Sequence, residues 1–420
     1  MIKSIDIKGF RGIESGAINK FRQFNIFVGA NNSGKSAVME AIYLASTVNQ
    51  EVGLVRQVDE VTLSNTVLLA EQDLLNNNPL NLIVSKHSDS TGLLNFSREK
   101  DAIVSINVKD SKAVLQKFDL DWSEKKLPSE KLPNDRLFLF GFDIKKNQNN
   151  LTDEHLDEDF FKLFWQHTKK LANKTRTVFW WYPDLTYYYK GSAVWSIEGQ
   201  PPAAKHTLFC DTSMVQSYIP IDFYRQVLNE VPGWTQRIAK HFGTIFEITD
   251  PFTVQFVPIT GYPDRLQGWI AREDKPALSI DAFGDGARAA FKLLVPLVVM
   301  AEMATEEEPG LLLWEEPEAF QNPQTLGNLL REVVKMIQDK PIQVFISTHN
   351  LEFLAYITQM MENKHLNSEK TMAFHLSLSD GQLRSSWFDQ DTLLTWLDSG
   401  IDPRAWKDFI PPFQFQLQEK

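Results

Sequence analysis

Residues 29–36, GANNSGKS, constrain the fold of this chain more than any other stretch, because they fill every fixed position of the pattern G-x-x-x-x-G-K-[ST]. FNIFV before them reads as a strand, and SAVMEAIYLAS, which begins at their last residue, reads as a helix. A glycine loop between strand and helix lets backbone N–H groups curl around phosphates, at a helix N-terminus that is already partly positive. Gly29 and Gly34 allow that curl, with Asn32 and Ser33 between them; Lys35 can reach the outer phosphates, and the Ser36 hydroxyl can ligate Mg²⁺. The alternative is a glycine-rich turn that merely opens a helix. The match at all fixed positions, between a strand and a helix, stands against it.

A triphosphate site also needs a metal acid, a base to orient water and a group that senses the terminal phosphate. LLLWEEPEAFQNP, residues 311–323, runs four apolar residues into adjacent carboxylates. Read as the end of a strand in a parallel sheet, beside the phosphate-loop strand, it sets Glu315 on the metal side, acting through water, and Glu316 in the place of the base. Alternatively both acids open the helix at Pro323, where carboxylates favour the dipole, yet they lie several residues too early. From Pro323 onward Leu326, Leu329, Leu330, Val333, Val334 and Ile337 recur at helical spacing, and IQVFIST at 342–348 follows as a buried strand. Strand, helix and strand in this order imply a parallel sheet with a crossover helix. STHN, 347–350, then puts His349 at a strand end near the same edge. A lone histidine is usually structural, but one that follows an acid pair by one strand points to catalysis. DAFGDGARAAFKLL, 281–294, places Gly284 and Gly286 around Asp285 directly before a helical pattern, a second helix N-terminus able to take an anion. Alone it reads as a flexible turn. Beside the other motifs it suggests a symmetric dimer in which each turn covers the nucleotide held by the other copy.

The 420 residues, 43% hydrophobic and 23% charged, suffice for a sizeable core. A net charge of -11 argues against a surface coated with basic residues for nucleic acid, while leaving room for a local patch. One cysteine, Cys210, suits a reducing compartment. MIKSIDIKGF alternates like a strand and unlike a targeting peptide, and FKLLVPLVVMA at 291–301 is too short to span a membrane. A soluble, cytoplasmic protein without membrane contact is expected. Three regions follow: 1–85 with the phosphate loop, 86–245 as an insertion without a strong motif, and 246–420 with the glycine turn, the acids and His349. Within the insertion, the aromatic block VFWWYPDLTYYYKGSAVW reads as strands packing their own core.

GANNSGKS, FGDGAR, LLLWEEPEAFQNP and FISTHN stand in the order found in ABC-type ATPases. The chain more closely resembles the RecF, SMC and OLD branch, including the AAA-type ATPases of bacterial defence systems; IKGFRGI looks like the branch's opening strand and EEPEA like its acid motif. The resemblance covers residues 1–85 and 246–400. It implies an α/β fold, an ABC-type P-loop ATPase head with a mixed or parallel sheet and a large α+β insertion. It further implies ATP and Mg²⁺ as ligands of a head-to-head homodimer, or higher homo-oligomer, that sandwiches two nucleotides. Residue by residue it assigns Lys35 and Ser36 to phosphate and Mg²⁺, Glu315 to the metal side, Glu316 to the base and His349 to sensing the γ-phosphate. Gly284, Asp285 and Gly286 become the turn presented in trans, Arg11 approaches the nucleotide, and Gln72 joins the metal shell. Two positions depart from the pattern: Ala282 where the turn commonly carries Ser, and Asn322 where a His often precedes the Pro.

Three functions compete. The favoured one is a defence-type ATPase whose nucleotide-driven assembly restrains or releases a separate effector protein, a toxin or nuclease. A RecF-like ATPase clamping duplex DNA is the second; Lys169, Lys170, Lys174 and Arg176 would serve it, although a solvated helix face explains them equally. A transporter subunit, the third, suits neither the insertion nor the glycine turn. A Toprim nuclease is not expected to fit within 350–420, where Asp389 and Asp391 read as a solvated turn.

Overall fold

A computed structural model describes residues 1–47, 206–273, 275–400 and 402–403, together with isolated strands between Ile83 and Glu198. The chain divides into two compact units: Met1–Lys20 with Ala37–Phe209 and Thr305–Leu311, and Phe21–Ser36 with Cys210–Ala304 and Leu312–Lys420. Among the described residues no helix is long and apolar enough to cross a membrane.

The first unit opens on a hairpin. Arg11 and Gly12, at φ 49° and 82°, supply the paired left-handed residues that a two-residue hairpin turn requires. The strands Ile2–Phe10 and Ile13–Ile18 therefore meet with Phe10 opposite Ile13 and Ile5 opposite Ile18, all four buried. Ile2–Phe10 pairs on its other edge with Ile103–Val108, and antiparallel pairing continues through Ser111–Asp119 and Ala193–Glu198 to Thr177–Trp181. The last two strands belong to the aromatic block. In the helix Lys35–Thr47, Val38, Met39, Ala41, Ile42 and Tyr43 are buried, with Tyr43 edge-on to Phe209 at 5.6 Å.

The second unit holds the motifs. Its main sheet runs in the order Gly310–Glu315, Ile342–Ser347, Phe24–Val28, Thr371–Ser379, Gln382–Phe388. Phe24–Val28 lies parallel to both neighbours, and the hairpin of Thr371–Ser379 with Gln382–Phe388 is antiparallel, which makes the sheet mixed and the class α/β. All residues of Phe24–Val28, Gly310–Glu315 and Ile342–Ser347 are buried, as expected of parallel strands covered on both faces. The helix Pro323–Ile337 is the crossover read from sequence, and its six spaced apolar residues are all buried. One expectation is corrected. The strand ending in the acids is not beside the phosphate-loop strand; the strand leading to His349 lies between them.

A second, antiparallel sheet pairs Tyr262–Arg272 with Thr253–Ile259, Lys275–Ser279 and Ile219–Pro220. It backs the helix Asp285–Met303: Gly268 lets Phe291 pack flush on the sheet, because a Cβ there would run into the ring. Trp234, on the helix Trp234–Ile245, stacks on Phe256 at 4.9 Å and donates its indole N–H to the Val295 carbonyl, 2.9 Å away. Thus the helix following the glycine turn is held on both flanks.

Candidate active site

The phosphate loop leaves the buried strand Phe24–Val28 and bends at Gly29, φ 145°, where a side chain would collide with the Leu376 carbonyl and the Ser33 hydroxyl. Asn32 at φ 61° and Gly34 at φ 90° complete the curl, and the helix begins at Lys35. Asn tolerates this left-handed region better than most residues. The Lys35 ammonium is buried and folds over the loop, donating to the carbonyls of Gly29 at 3.0 Å and Ala30 at 2.9 Å and to the Ser33 hydroxyl at 3.2 Å. Burial lowers its pKa to about 8, against the opposing pull of Glu316, Glu315 and Glu318.

Parallel pairing brings the acids and the histidine to the same end of the sheet. Thr348 N–H bonds the Phe27 carbonyl at 3.0 Å, so the strand holding His349 ends level with the phosphate loop. Glu316 N–H bonds the Ser347 carbonyl at 2.8 Å, which aligns the acid strand one place further out. Glu315 is the last strand residue and is buried. Glu316 takes φ 48°, a left-handed conformation that a glutamate adopts at a cost and that turns its side chain outward. That side chain is 46% exposed and its Oε1 lies 3.6 Å from His349 Nε2. Burial and the Lys35 ammonium hold His349 below its ordinary pKa, against Glu316, Glu318 and a hydrogen bond to the Gly29 backbone, so the ring is neutral at pH 7.

The helix-start alternative for the acids does not hold, because the helix begins at Pro323 with Asn322 as its N-cap, accepting from Thr325 N–H at 2.9 Å. Asn322 thereby has a structural task where related motifs often carry His.

Sequence reasoning missed Glu318. Its Oε1 accepts from the Thr348 hydroxyl at 2.7 Å and from the His349 N–H at 3.2 Å, fixing the turn that carries the histidine. The third acid of EEPE was visible as a residue, but nothing in its spacing pointed across to another strand.

The glycine turn packs at the far end of the acid loop. An added Cβ at Gly286 would lie 2.7 Å from the Phe320 carbonyl, and Gln321 Nε2 donates to the Gly286 carbonyl at 2.8 Å. Gly284 is the N-cap residue of Asp285–Met303. The Asp285 carboxylate is bound by Arg288 at 2.7 Å. Arg288 Nε also lies 3.5 Å from Asp281, which in turn sits 3.6 Å from the buried Lys292 ammonium. Arg11, in the first unit, is ion-paired with buried Glu40, so its charge is already engaged there. Gln72 lies outside the described residues. Asp389 caps the helix Gln390–Asp398, accepting from Thr392 N–H at 3.0 Å, which gives FDQD a structural role.

The residues present fit a Mg²⁺–triphosphate. A Cβ-free cradle at Gly29, a lysine beside it, and the oxygen donors Ser36 and Glu315 suit a hard cation bound by few side chains plus phosphate oxygens. Among the described residues no group of three or more His, Cys, Asp and Glu could hold a metal ion.

Residues 1–179 match the family model of an AAA ATPase domain. That span includes the phosphate loop; the acids and His349 lie beyond it and are placed by the structure. Loop, acids and match together define the class as a P-loop ATPase, an enzyme that hydrolyses ATP. Over 400 residues the chain is 26% identical to a protein of Helicobacter pylori described as an ATP/GTP phosphatase, covering 90% of this chain and 93% of that one. Among solved structures it is similar to an Smc head domain with an extended coiled coil bound to the C-terminal domain of ScpA, from Pyrococcus furiosus. That likeness has 12% identity and a TM-score of 0.42 and covers 95% of this chain and 98% of the other. It is also similar to an SMC head domain from Thermotoga maritima, at 11% identity and a TM-score of 0.37, covering 92% and 98%.

Proposed function

We propose that this chain binds ATP on the phosphate loop and hydrolyses it with Glu316 as the base, within a homodimer whose glycine turns each cover the partner's nucleotide. The observation that carries the reading is the convergence of Lys35, Glu315, Glu316 and His349 at one end of the parallel strands of a mixed sheet, with Glu316 turned outward by its left-handed backbone.

The loop N–H groups and Lys35 bind and orient the β- and γ-phosphates, for which Lys35 must exchange its loop carbonyls for phosphate oxygens. Ser36 and Glu315 would hold Mg²⁺, which when bound neutralises charge on the phosphate oxygens. Glu316 takes a proton from a water as its oxygen attacks the γ-phosphorus; the bond to the β-phosphate oxygen breaks, and ADP and phosphate leave. His349, neutral and fixed by Glu318, offers one ring nitrogen as donor to the γ-phosphate. The name of the Helicobacter pylori relative supports triphosphate hydrolysis and leaves GTP as a second substrate to be compared directly. The motifs' resemblance to defence-type ATPases supports control of a separate effector in anti-phage defence as the role of this hydrolysis.

Glu316→Gln removes the base while keeping the shape of the side chain. Turnover should fall about 100-fold or more, with nucleotide binding retained and ATP-dependent association strengthened. Lys35→Ala should instead abolish binding. Unchanged hydrolysis in Glu316→Gln would remove the base assignment.

A further inference from the structure

We propose that Gln321 is a positioning residue that ties the acid loop of one nucleotide site to the glycine turn that the same protomer presents to the other site. The inference rests on the dimer proposed above. Between Glu316 and Gln321 the chain makes two successive turns, Ala319 N–H to the Glu316 carbonyl at 2.9 Å and Gln321 N–H to the Glu318 carbonyl at 3.1 Å. This short, internally bonded loop is clamped at both ends. At one end Glu318 holds Thr348 and the His349 N–H. At the other, Gln321 Nε2 donates to the Gly286 carbonyl at 2.8 Å, while its buried Oε1 has no hydrogen-bond partner among the described residues.

The contact is close enough to transmit movement. A Cβ on Gly286 would stand 2.7 Å from the Phe320 carbonyl and 3.2 Å from Gln321 Oε1, so the turn cannot slide past the loop. Close-packed groups pass displacement on to their neighbours. Movement of His349 as it engages a γ-phosphate is therefore carried by Glu318, through the loop, to Gly286 and the first N–H groups of Asp285–Met303. Those are the groups that face the partner's nucleotide in the proposed dimer. Glutamine suits the task because its amide supplies a donor at that reach. Methionine has similar length without the donor, and glutamate sets an acceptor against a carbonyl.

Wild-type protein, Gln321→Met and Gln321→Glu are compared for ATP affinity at low protein concentration, ATP-dependent association, and the ATP dependence of hydrolysis. In the wild type, rate should rise cooperatively with ATP. In both variants affinity should be unchanged, kcat should fall about fivefold, the worth of one neutral hydrogen bond, and cooperativity should disappear. Variants that keep wild-type rate and cooperativity overturn the inference and leave the dimer standing; so do variants that lose rate while remaining cooperative. A wild type that neither associates with ATP nor responds cooperatively overturns the dimer, and this inference with it.

Discussion

Lys35 shows how one buried charge sets conditions for the whole site. The residue is 6% exposed, and the loop carbonyls and nearby glutamates compensate only part of the lost hydration, leaving its pKa near 8 instead of 10.5. The folded-state value lies below the unfolded one. The group's contribution to stability is therefore present above pH 10.5 and is lost as pH falls through about 8. Phosphates reverse the balance, since an ammonium beside a polyanion holds its proton. ATP affinity should accordingly be level between pH 7 and about 8 and then weaken by up to about tenfold per pH unit. Over that range binding should take up a proton, visible as a heat that varies with buffer in calorimetry. Affinity that stays level to pH 9.5 would show that Lys35 titrates near its ordinary value. The loop, Lys35 and Glu316 were legible in the sequence because their motif spacing is local. Glu318 and Gln321 were not, because each acts on a residue that the fold brings from another strand or helix.

At the scale of elements, the glycine turn is only as well placed as the helix behind it. Asp285–Met303 is buried from Ala290 to Ala301, and its Phe291 lies within an aromatic cluster, 5.8 Å from Phe242 and 6.1 Å from Phe256. Gly268 gives the ring its seat on the antiparallel sheet, and a ring so enclosed cannot swing away from an added methyl. Gly268→Ala should destabilise the protein by about 1–3 kcal/mol, the usual cost of overpacking, measured by urea denaturation. Adding Phe291→Leu should recover part of the loss, because the smaller side chain vacates the contact; additive losses would place the strain elsewhere. The crossover helix Pro323–Ile337 could be read directly, since six apolar residues at helical spacing face one way behind a proline at the start. Strand order could not. Which strands become neighbours depends on pairing between distant segments, and so the acid strand was expected one place too close to the phosphate loop.

For the whole molecule, the interleaving of segments explains both what the motifs conveyed and what they concealed. The phosphate loop, the glycine turn, the acids and His349 come from three separate stretches of sequence, yet all belong to the second compact unit. In the dimer proposed above, the glycine turn is the feature whose chemistry calls for a second copy. Its composition is the test. Ala282 is exposed at the end of the short turn Ile280–Ala282, where related turns commonly carry Ser. The Ser279 hydroxyl oxygen accepts from Asp281 N–H at 3.1 Å and caps that turn. Ala282→Ser should thus add one donor towards the partner's γ-phosphate without touching the phosphate loop of its own protomer. ATP-dependent dimerisation should tighten about fivefold, read by sedimentation at fixed ATP, with ATP affinity of the separate protomers unchanged. The gain should vanish with ADP, which lacks the γ-phosphate. A substitution that tightened association equally with ADP, or not at all, would place the turn away from the partner's nucleotide, even if Glu316 and Lys35 behave as proposed.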